Sequence, residues 1–308
     1  HLSIRRQRQM CIRDRLIIDL DVHGDNRGWF KENWQREKFT GLAPELASFQ
    51  PVQNNISFNH AGATRGLHAE PWDKLVSVAQ GKIFGAWCDL REGSDSFGEV
   101  VTHEVGPETA VFVPRGVANG FQALEETSYC YLVNEHWSAE ARYAAVNLNI
   151  VDWPLEPTEI SEKDKQHPAL KDVSPMPARR ILVTGANGQL GRALKRLLAD
   201  AELCTHADFD ITDPPERNWK QYSAIINCAA YNDVNGAEND RAAAWAVNAE
   251  APARLARIAA ENQLTLVHVS SDYIFDGTNE VHTEEELPSP LSAYGASKAA
   301  GDTAAQTA

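Results

Sequence analysis

The feature that most constrains this chain is a change of pattern at residues 167–180, HPALKDVSPMPARR. Before it, short apolar alternations are broken by Gly, Asn, Asp and Pro, as in KLVSVAQGKIFGAWCDL (residues 74–90) and TAVFVPRGVANGFQAL (residues 109–124). Runs of four to eight residues rich in Val, Phe, Tyr and Trp, spaced by turn formers, indicate an antiparallel sandwich or barrel. After it, strand-like and helical runs alternate, which implies parallel strands joined by right-handed crossovers. Pro168, Pro175 and Pro177 mark a linker. At roughly 150 residues per domain the 308 residues form two domains, each able to bury a core. The expected organisation is an all-β domain at residues 16–173, a linker at 174–180 and an α/β domain at 181–308.

Residues 1–15, HLSIRRQRQMCIRDR, are basic and aperiodic. They have neither an apolar h-region nor an amphipathic Arg/Ser-rich helix. They read as a non-native or disordered leader, and fold reasoning starts at Leu16. The sequence ends at Ala308 inside a helical pattern, so the second domain is expected to be C-terminally incomplete. Lys plus Arg number 29 against 43 Asp plus Glu, a formal charge of −14. That acidity argues against a nucleic-acid or anionic-membrane partner, both of which need clustered cations. No stretch approaches the ~18 uncharged apolar residues of a membrane span. The five cysteines are scattered and lack C-x-x-C spacing, which favours a reducing, cytoplasmic setting.

In the first half, polar residues cluster in DNRGWFKE (residues 25–32), QNNIS (53–57) and RGLH (65–68). Alternate residues of a strand share a face, so Gln53, Asn55 and Ser57 point together. Periodicity leaves open whether that face lines an interior or meets solvent. A lone histidine is more often structural than catalytic. His68 has no H-x-H companion, which argues against a metal-binding site. It becomes a base if a carboxylate orients the ring and a cation lies nearby, for which Asp164 and Lys74 are the candidates.

Residues 16 to about 173 resemble the dTDP-4-dehydrorhamnose 3,5-epimerase family through D-x-R-G-x-F-x-E (residues 25–32), Q-x-N-x-S (53–57), R-G-L-H (65–68) and G-K-I-F (81–84). DLREGS (89–94), FVPRGVANGF (112–121) and SEKD (161–164) follow in the same order. The resemblance implies a cupin-type jelly roll that needs no metal or cofactor. It implies His68 as base, Asp164 as its dyad partner, Lys74 facing the substrate carbonyl and Tyr131 as the opposing proton donor. Tyr129 is the alternative ring. Arg27 and Arg65 would contact the diphosphate, for which guanidinium forks suit, and Trp137 would stack on the base. Phe30, Glu32, Gln53, Asn55 and Asn119 complete the implied substrate site, and a homodimer through this domain is implied too. Two departures stand out: the short segment AEPWD (69–73), and Asn119 where the family often has histidine. They leave single or double epimerisation open. The chemistry is coherent, because hydrogens beside a keto group are acidic. Inversion needs a base on one face, an acid on the other and a cation for the enolate.

In the second half RILVTG (residues 180–185) reads as a buried strand, followed by Gly185, Gly188 and Gly191. A helix with Leu190, Leu194, Leu197 and Leu198 on one face comes next. Strand, glycine loop and helix make a dinucleotide-binding unit, because glycines let backbone approach a diphosphate. SAIINCAAY (223–231) and LTLVHVSSDY (264–273) are further strands, with a helical stretch at about 240–262 between them. Y-G-A-S-K places Tyr294 and Lys298 at i, i+4 on one helix face. A cation there lowers the phenol pKa, so the phenol can protonate a carbonyl under reduction, with Ser271 hydrogen-bonding the same oxygen.

This half resembles the extended short-chain dehydrogenases, and within them the dTDP-4-dehydrorhamnose reductases, through TGANGQLG (184–191), DITD (210–213), NCAAYNDVNGAE (227–238), VSSDYIFDG (269–277) and YGASK (294–298). The resemblance implies a Rossmann-like, doubly wound parallel sheet. Nicotinamide-cofactor contacts are implied at Gly185, Asn187, Gly188, Gln189, Leu190, Gly191, Asp210, Ala229, Ala230 and Tyr231. Asp208 stands about where a ribose 2′-hydroxyl is bound and Arg192 where a 2′-phosphate would meet it. NADPH is the expected cofactor, with NADH the alternative. The combined expectation is a bifunctional enzyme acting on a dTDP-4-keto-6-deoxy sugar, epimerising and then reducing it. The rivals are an epimerase/reductase for another nucleotide-4-keto-sugar and a non-catalytic nucleotide-sugar-binding protein.

Overall fold

The computed structural model describes residues 3–5 and 15–307. The chain divides into two compact units, His1–Ala178 and Arg179–Ala308. The first contains strands β1 (Ser3–Arg5), β2 (Leu16–Asp19), β3 (Val22–Asp25), β4 (Gly28–Lys31), β5 (Gln53–Asn59), β6 (Thr64–Ala69), β7 (Lys74–Gln80), β8 (Ile83–Asp89), β9 (Val100–Val105), β10 (Thr109–Val113), β11 (Val117–Ala123), β12 (Thr127–Val133) and β13 (Ala144–Ala145). One antiparallel sheet has the order β1-β2-β10-β7-β12-β5, a second β13-β6-β11-β8-β9, and β3-β4 stand apart as a hairpin. Two separate sheets make a sandwich, one of the two alternatives the alternation allowed.

Period-two burial explains the layering. Val76, Val111, Val113 and Tyr129 from the first sheet meet Ile83, Trp87, Val117 and Phe121 from the second, all buried in one cluster. Burying each such side chain contributes roughly 1.5–3 kcal/mol. The odd-phase residues face outward and are covered in turn. Phe39 and Leu46, from the short helices Arg36–Thr40 and Pro44–Ala47, close with Phe49 over Leu16, Ile18, Leu75 and Phe112. Val146, Leu148, Val151 and Met176 close over Leu67, Ala86, Cys88 and Ala118. The β7–β8 turn requires Gly81: its φ is +82°, and a Cβ there would lie 2.3 Å from the Glu126 carbonyl oxygen.

Two of the expected boundaries can be set beside the structure. Within the proposed leader, residues 1, 2 and 6–14 lie outside the described residues, but Ser3–Arg5 pairs antiparallel with β2. Arg15 is buried with its guanidinium 4.6 Å from the Trp87 ring centre, a stacking contact that composition cannot reveal. The proposed linker is not a free tether. Met176 is buried, its N–H donates to the Leu90 carbonyl at 2.7 Å, and Arg115 donates to the Pro177 carbonyl at 2.8 Å.

The second unit holds β14 (Arg180–Thr184), β15 (Glu202–Cys204), β16 (Tyr222–Asn227) and β17 (Thr265–His268), all parallel in the order β15-β14-β16-β17. Helix Ala251–Glu261 buries Leu255 against Leu182 and Ile225. The helix Ala293–Thr307 buries Tyr294 and Lys298. The leucine stripe expected after the glycine loop forms only in part. The helix covers Gln189–Leu194 and gives way to i→i+3 turns, leaving Leu197 78% exposed. No helix among the described residues is long and apolar enough to cross a membrane.

Candidate active site

Between the two sheets of the first unit lies a cavity of about 600 Å³ that includes Asn55, Ser57, Arg65, His68, Lys74 and Asn119 in its wall. β6 explains why His68 is there: Leu67 and Ala69 pack outward under the apolar cover, so the residue between them faces inward. The face shared by Asn55 and Ser57 is thus the inner one, which alternation alone left open. Asp164 arrives from the helix Glu162–Lys165, whose N-cap Ser161 accepts from the Asp164 N–H at 3.1 Å.

His68 Nε2 and Asp164 Oδ1 are 2.8 Å apart, and Gly66 N–H donates to Asp164 Oδ2 at 3.1 Å. Burial pushes the Asp164 carboxyl up. The His68 hydrogen bond and charge, the Gly66 N–H and His167 outweigh it and hold the group below the usual carboxylate range. With Nε2 facing a carboxylate, neutral His68 carries its proton on Nε2 and keeps the Nδ1 lone pair, the state of an oriented base.

Lys74 is buried and ion-pairs with Glu70. Its Nζ lies 5.1 Å from the Tyr131 ring centre. The Tyr131 phenol is pushed up by burial and by the Glu70 charge, with Arg65 opposing. Tyr129 also lines the cavity. It stacks on Phe121 at 4.2 Å, receives a hydrogen bond from Asn119 Nδ2 at 3.1 Å, and has its phenol pushed up, chiefly by burial. Both phenols are therefore held as proton donors at neutral pH.

Several expected substrate contacts do not line this cavity. Arg27 is exposed and paired with Asp25, Glu32 is paired with Lys38 at 2.6 Å, and Phe30 is 68% exposed, because the β3–β4 hairpin stands outside both sheets. Trp137 is 65% exposed, and its backbone N–H donates to Gln53 Oε1 at 3.1 Å; Gln53 in turn donates to Asn55. Sequence reasoning missed two residues. Glu70 carried a faint signal, a carboxylate four residues before Lys74. His167 carried another: three residues after Asp164, it brings its Nε2 to 3.8 Å from Asp164 Oδ1 and its ring to 5.0 Å from that of His68.

In the second unit a cavity of about 550 Å³ lies among Gly188, Gln189, Leu190, Arg192, Ala229, Ala230, Tyr294 and Lys298. Gly185 has φ +69°, and a Cβ there would lie 2.7 Å from the Ala229 nitrogen; one on Gly191 would lie 2.5 Å from the Gly185 carbonyl oxygen. Only glycine fits either position. Lys298 Nζ donates to the Val269 carbonyl at 2.6 Å, and burial lowers its pKa, opposed by Asp302. Tyr231 is held through its backbone by Asn248, whose amide also donates to Ser297 Oγ. Asn187 and Tyr231 do not line the cavity. Nor does Ser271, which caps the turn Asp272–Ile274 while neighbouring Ser270 lines the cavity. Asp210 accepts from Thr212 and Asp208 from Thr205, so neither carboxylate reaches the cavity wall. Gly185 and Gly191 do not line the cavity either, and serve instead to pack the loop against backbone; the wall of Gly188, Ala229 and Ala230 beside Tyr294 and Lys298 fits a dinucleotide cofactor.

A histidine paired with a carboxylate, a buried ammonium and protonated phenols in one cavity are the groups that proton exchange at acidic C–H bonds requires. The chain belongs to the dTDP-4-dehydrorhamnose 3,5-epimerase family, whose model matches residues 9–172. Residues 179–308 match the RmlD substrate binding domain, so an epimerase-family domain is joined to a reductase-family domain. The chain is 51% identical over 172 residues to a Protein RmlC homolog of Streptococcus pyogenes, covering 52% of this chain and 87% of that protein. It is 41% identical over 138 residues to the dTDP-4-dehydrorhamnose reductase of Mycobacterium tuberculosis, covering 41% of this chain and 45% of that protein. This chain thus spans less than half the length of that reductase. Among solved structures, RmlC from Streptococcus suis in complex with dTDP-D-xylose superposes with TM-score 0.53 and 46% identity, over 57% of this chain and 95% of that one.

The dyad makes stability depend on acid. Asp164 is held below its unfolded pKa of about 3.9, so its stabilisation is fully present above that pH and is lost as pH falls through the lower folded value. In acid titrations followed by circular dichroism, Asp164→Asn is expected to flatten the fall in stability below about pH 4. An unchanged slope would remove the dyad from the stability balance.

Proposed function

We propose that the first unit inverts C3 and C5 of dTDP-4-dehydro-6-deoxyglucose and that the second unit reduces the 4-keto group of the product. The observation that carries the first half is the 2.8 Å His68–Asp164 contact in the same cavity as Lys74 and Tyr131. His68 Nδ1 takes the proton from carbon, and the C–H electron pair moves onto the keto oxygen as an enolate held by the Lys74 ammonium. Tyr131 returns a proton from the opposite face as the ketone re-forms; His68 then releases its proton to solvent and solvent reprotonates the phenolate. Such an acid–base pair contributes about 10²–10⁴-fold. The dTDP-sugar held by the similar S. suis protein supports the ligand class, and its identity supports reading the sandwich as a cupin-type jelly roll. The unpaired thiols of Cys88, Cys130, Cys204 and Cys228 fit a cytoplasmic setting.

For the second half, Tyr294 supplies the proton to the C4 oxygen, with Lys298 one helical turn along. A bound nicotinamide supplies the hydride to C4. NADPH is the preferred form on this reading, because Arg192 lines the cavity while Asp208 is turned to Thr205.

The signature residues Arg27 and Phe30 project away from their own cavity on a hairpin whose Trp29 is also 48% exposed. We read this as a homodimer through the epimerase domain, in which each hairpin completes the partner's site.

Three measurements check these readings. In D₂O the chain should place deuterium at C3 and C5 of dTDP-4-dehydro-6-deoxyglucose, and His68→Ala should lower the rate by about 10²-fold or more. Deuterium at one carbon would indicate single epimerisation. No exchange would leave a nucleotide-sugar-binding protein. Fluorescence titration should give tighter binding of NADPH than NADH, with Arg192→Ala removing the difference; equal affinities would reject the role of Arg192. Mixing His68→Ala with Arg27→Ala protein should restore exchange that neither shows alone, because one hybrid site has both native residues. No recovery in mixed dimers would place Arg27 outside the partner's site.

A further inference from the structure

His68, Asp164 and His167 each offer a ligand atom, and these three atoms lie within 4.8 Å of one another. The separations suit a small cation. His68 Nε2 is 2.8 Å and His167 Nε2 is 3.8 Å from the same Asp164 oxygen. These bracket the ligand–ligand edge of about 3.3 Å in a tetrahedral zinc site with bonds near 2.0–2.1 Å. His167 is largely buried, with its ring 5.0 Å from that of His68 and edge-on to it. His68 is the most open of the three, with 37% of its side chain exposed in the cavity wall, so an ion has a path in and a fourth position left for water.

We propose that His68, Asp164 and His167 form an inhibitory site for a borderline divalent transition-metal ion such as Zn²⁺. The part of this that concerns inhibition rests on His68 being the base. A cation on His68 Nε2 occupies the place of the proton shared with Asp164. The remaining imidazole proton must then sit on Nδ1, the nitrogen that takes the sugar proton, so the loaded ring has no lone pair to offer. The ion also takes the Asp164 charge that would stabilise the imidazolium. Nothing is oxidised or reduced, and removing the ion restores the base.

The test uses the full chain, with Zn²⁺ followed by calorimetry and Co²⁺ by its visible absorption. One ion per chain is expected at this site, with affinity falling about tenfold or more in His167→Ala. His167→Gln serves as a second variant that keeps a polar side chain of similar reach, and circular dichroism checks that both fold. Zn²⁺ should slow deuterium exchange in the parent chain and do so much less in either variant, each compared with its own metal-free rate. Unchanged affinity in both folded variants, or no binding to the parent chain, overturns the site. Tight binding lost in the variants, without any effect of Zn²⁺ on exchange, overturns the inhibition and leaves the ion site standing. A parent chain that binds the ion but shows no exchange even without metal tells against the catalytic reading, not against the site.

Discussion

A buried carboxylate is costly unless it is fully partnered, and Asp164 is partnered by atoms that lie far from it in sequence. Its oxygens take the imidazole N–H of His68, 96 residues away, and the backbone N–H of Gly66. The helix that carries it belongs to the segment whose Val146, Leu148, Val151 and Met176 cover the outer face of the β6–β11–β8 sheet. The apolar cover and the His68–Asp164 pair are therefore one construction. Burial of the cover delivers the carboxylate, and the carboxylate holds the His68 ring. The same closure explains why residues near 174–177, proline-rich and linker-like in composition, are held against the sandwich. Met176 is the last apolar side chain that the cover needs.

What was legible in the sequence follows the range of the interactions. Alternation over residues 53–57 reports that Asn55 and Ser57 share a face, since that is a local property of strands. Which face is inside depends on the partner sheet, which no local pattern contains. The Asp164–His68 pair was legible only because ordered motifs stood in for the missing distance information. Motif order put Arg27, Phe30 and Glu32 at the site, yet they stand on an exposed hairpin outside both sheets, a placement that membership of a signature does not contain. Arg15 and His167 escaped for another reason. A guanidinium over an indole and a second histidine beside a dyad are contacts between single residues, and leave no period to detect. In the second unit, the spacing of Leu190, Leu194 and Leu197 satisfied a helical stripe, yet the helix stops at Leu194, so spacing without a surface to pack against does not sustain a helix.

On the function proposed here, the two units handle a carbonyl in one way. Each has a buried lysine near a tyrosine: Lys74 with its ammonium beside the Tyr131 ring, and Lys298 four residues after Tyr294. They differ in what else holds the lysine. Lys74 is paired with the Glu70 carboxylate, whose negative charge helps to raise the Tyr131 phenol and keeps it a proton donor. Lys298 donates to a neutral backbone carbonyl, and burial lowers its own pKa. A carboxylate beside the first pair keeps the phenol protonated until a carbanion of comparable basicity demands the proton, as inversion requires. Asp302 acts on the second ammonium by its charge, against the burial, and on the reading proposed here that ammonium lowers the barrier for its phenol to give up a proton as the carbonyl is reduced. The two lysines thus differ in how closely a carboxylate holds them: Lys74 is ion-paired with Glu70, whereas Lys298 is hydrogen-bonded to the Val269 carbonyl and feels Asp302 by charge.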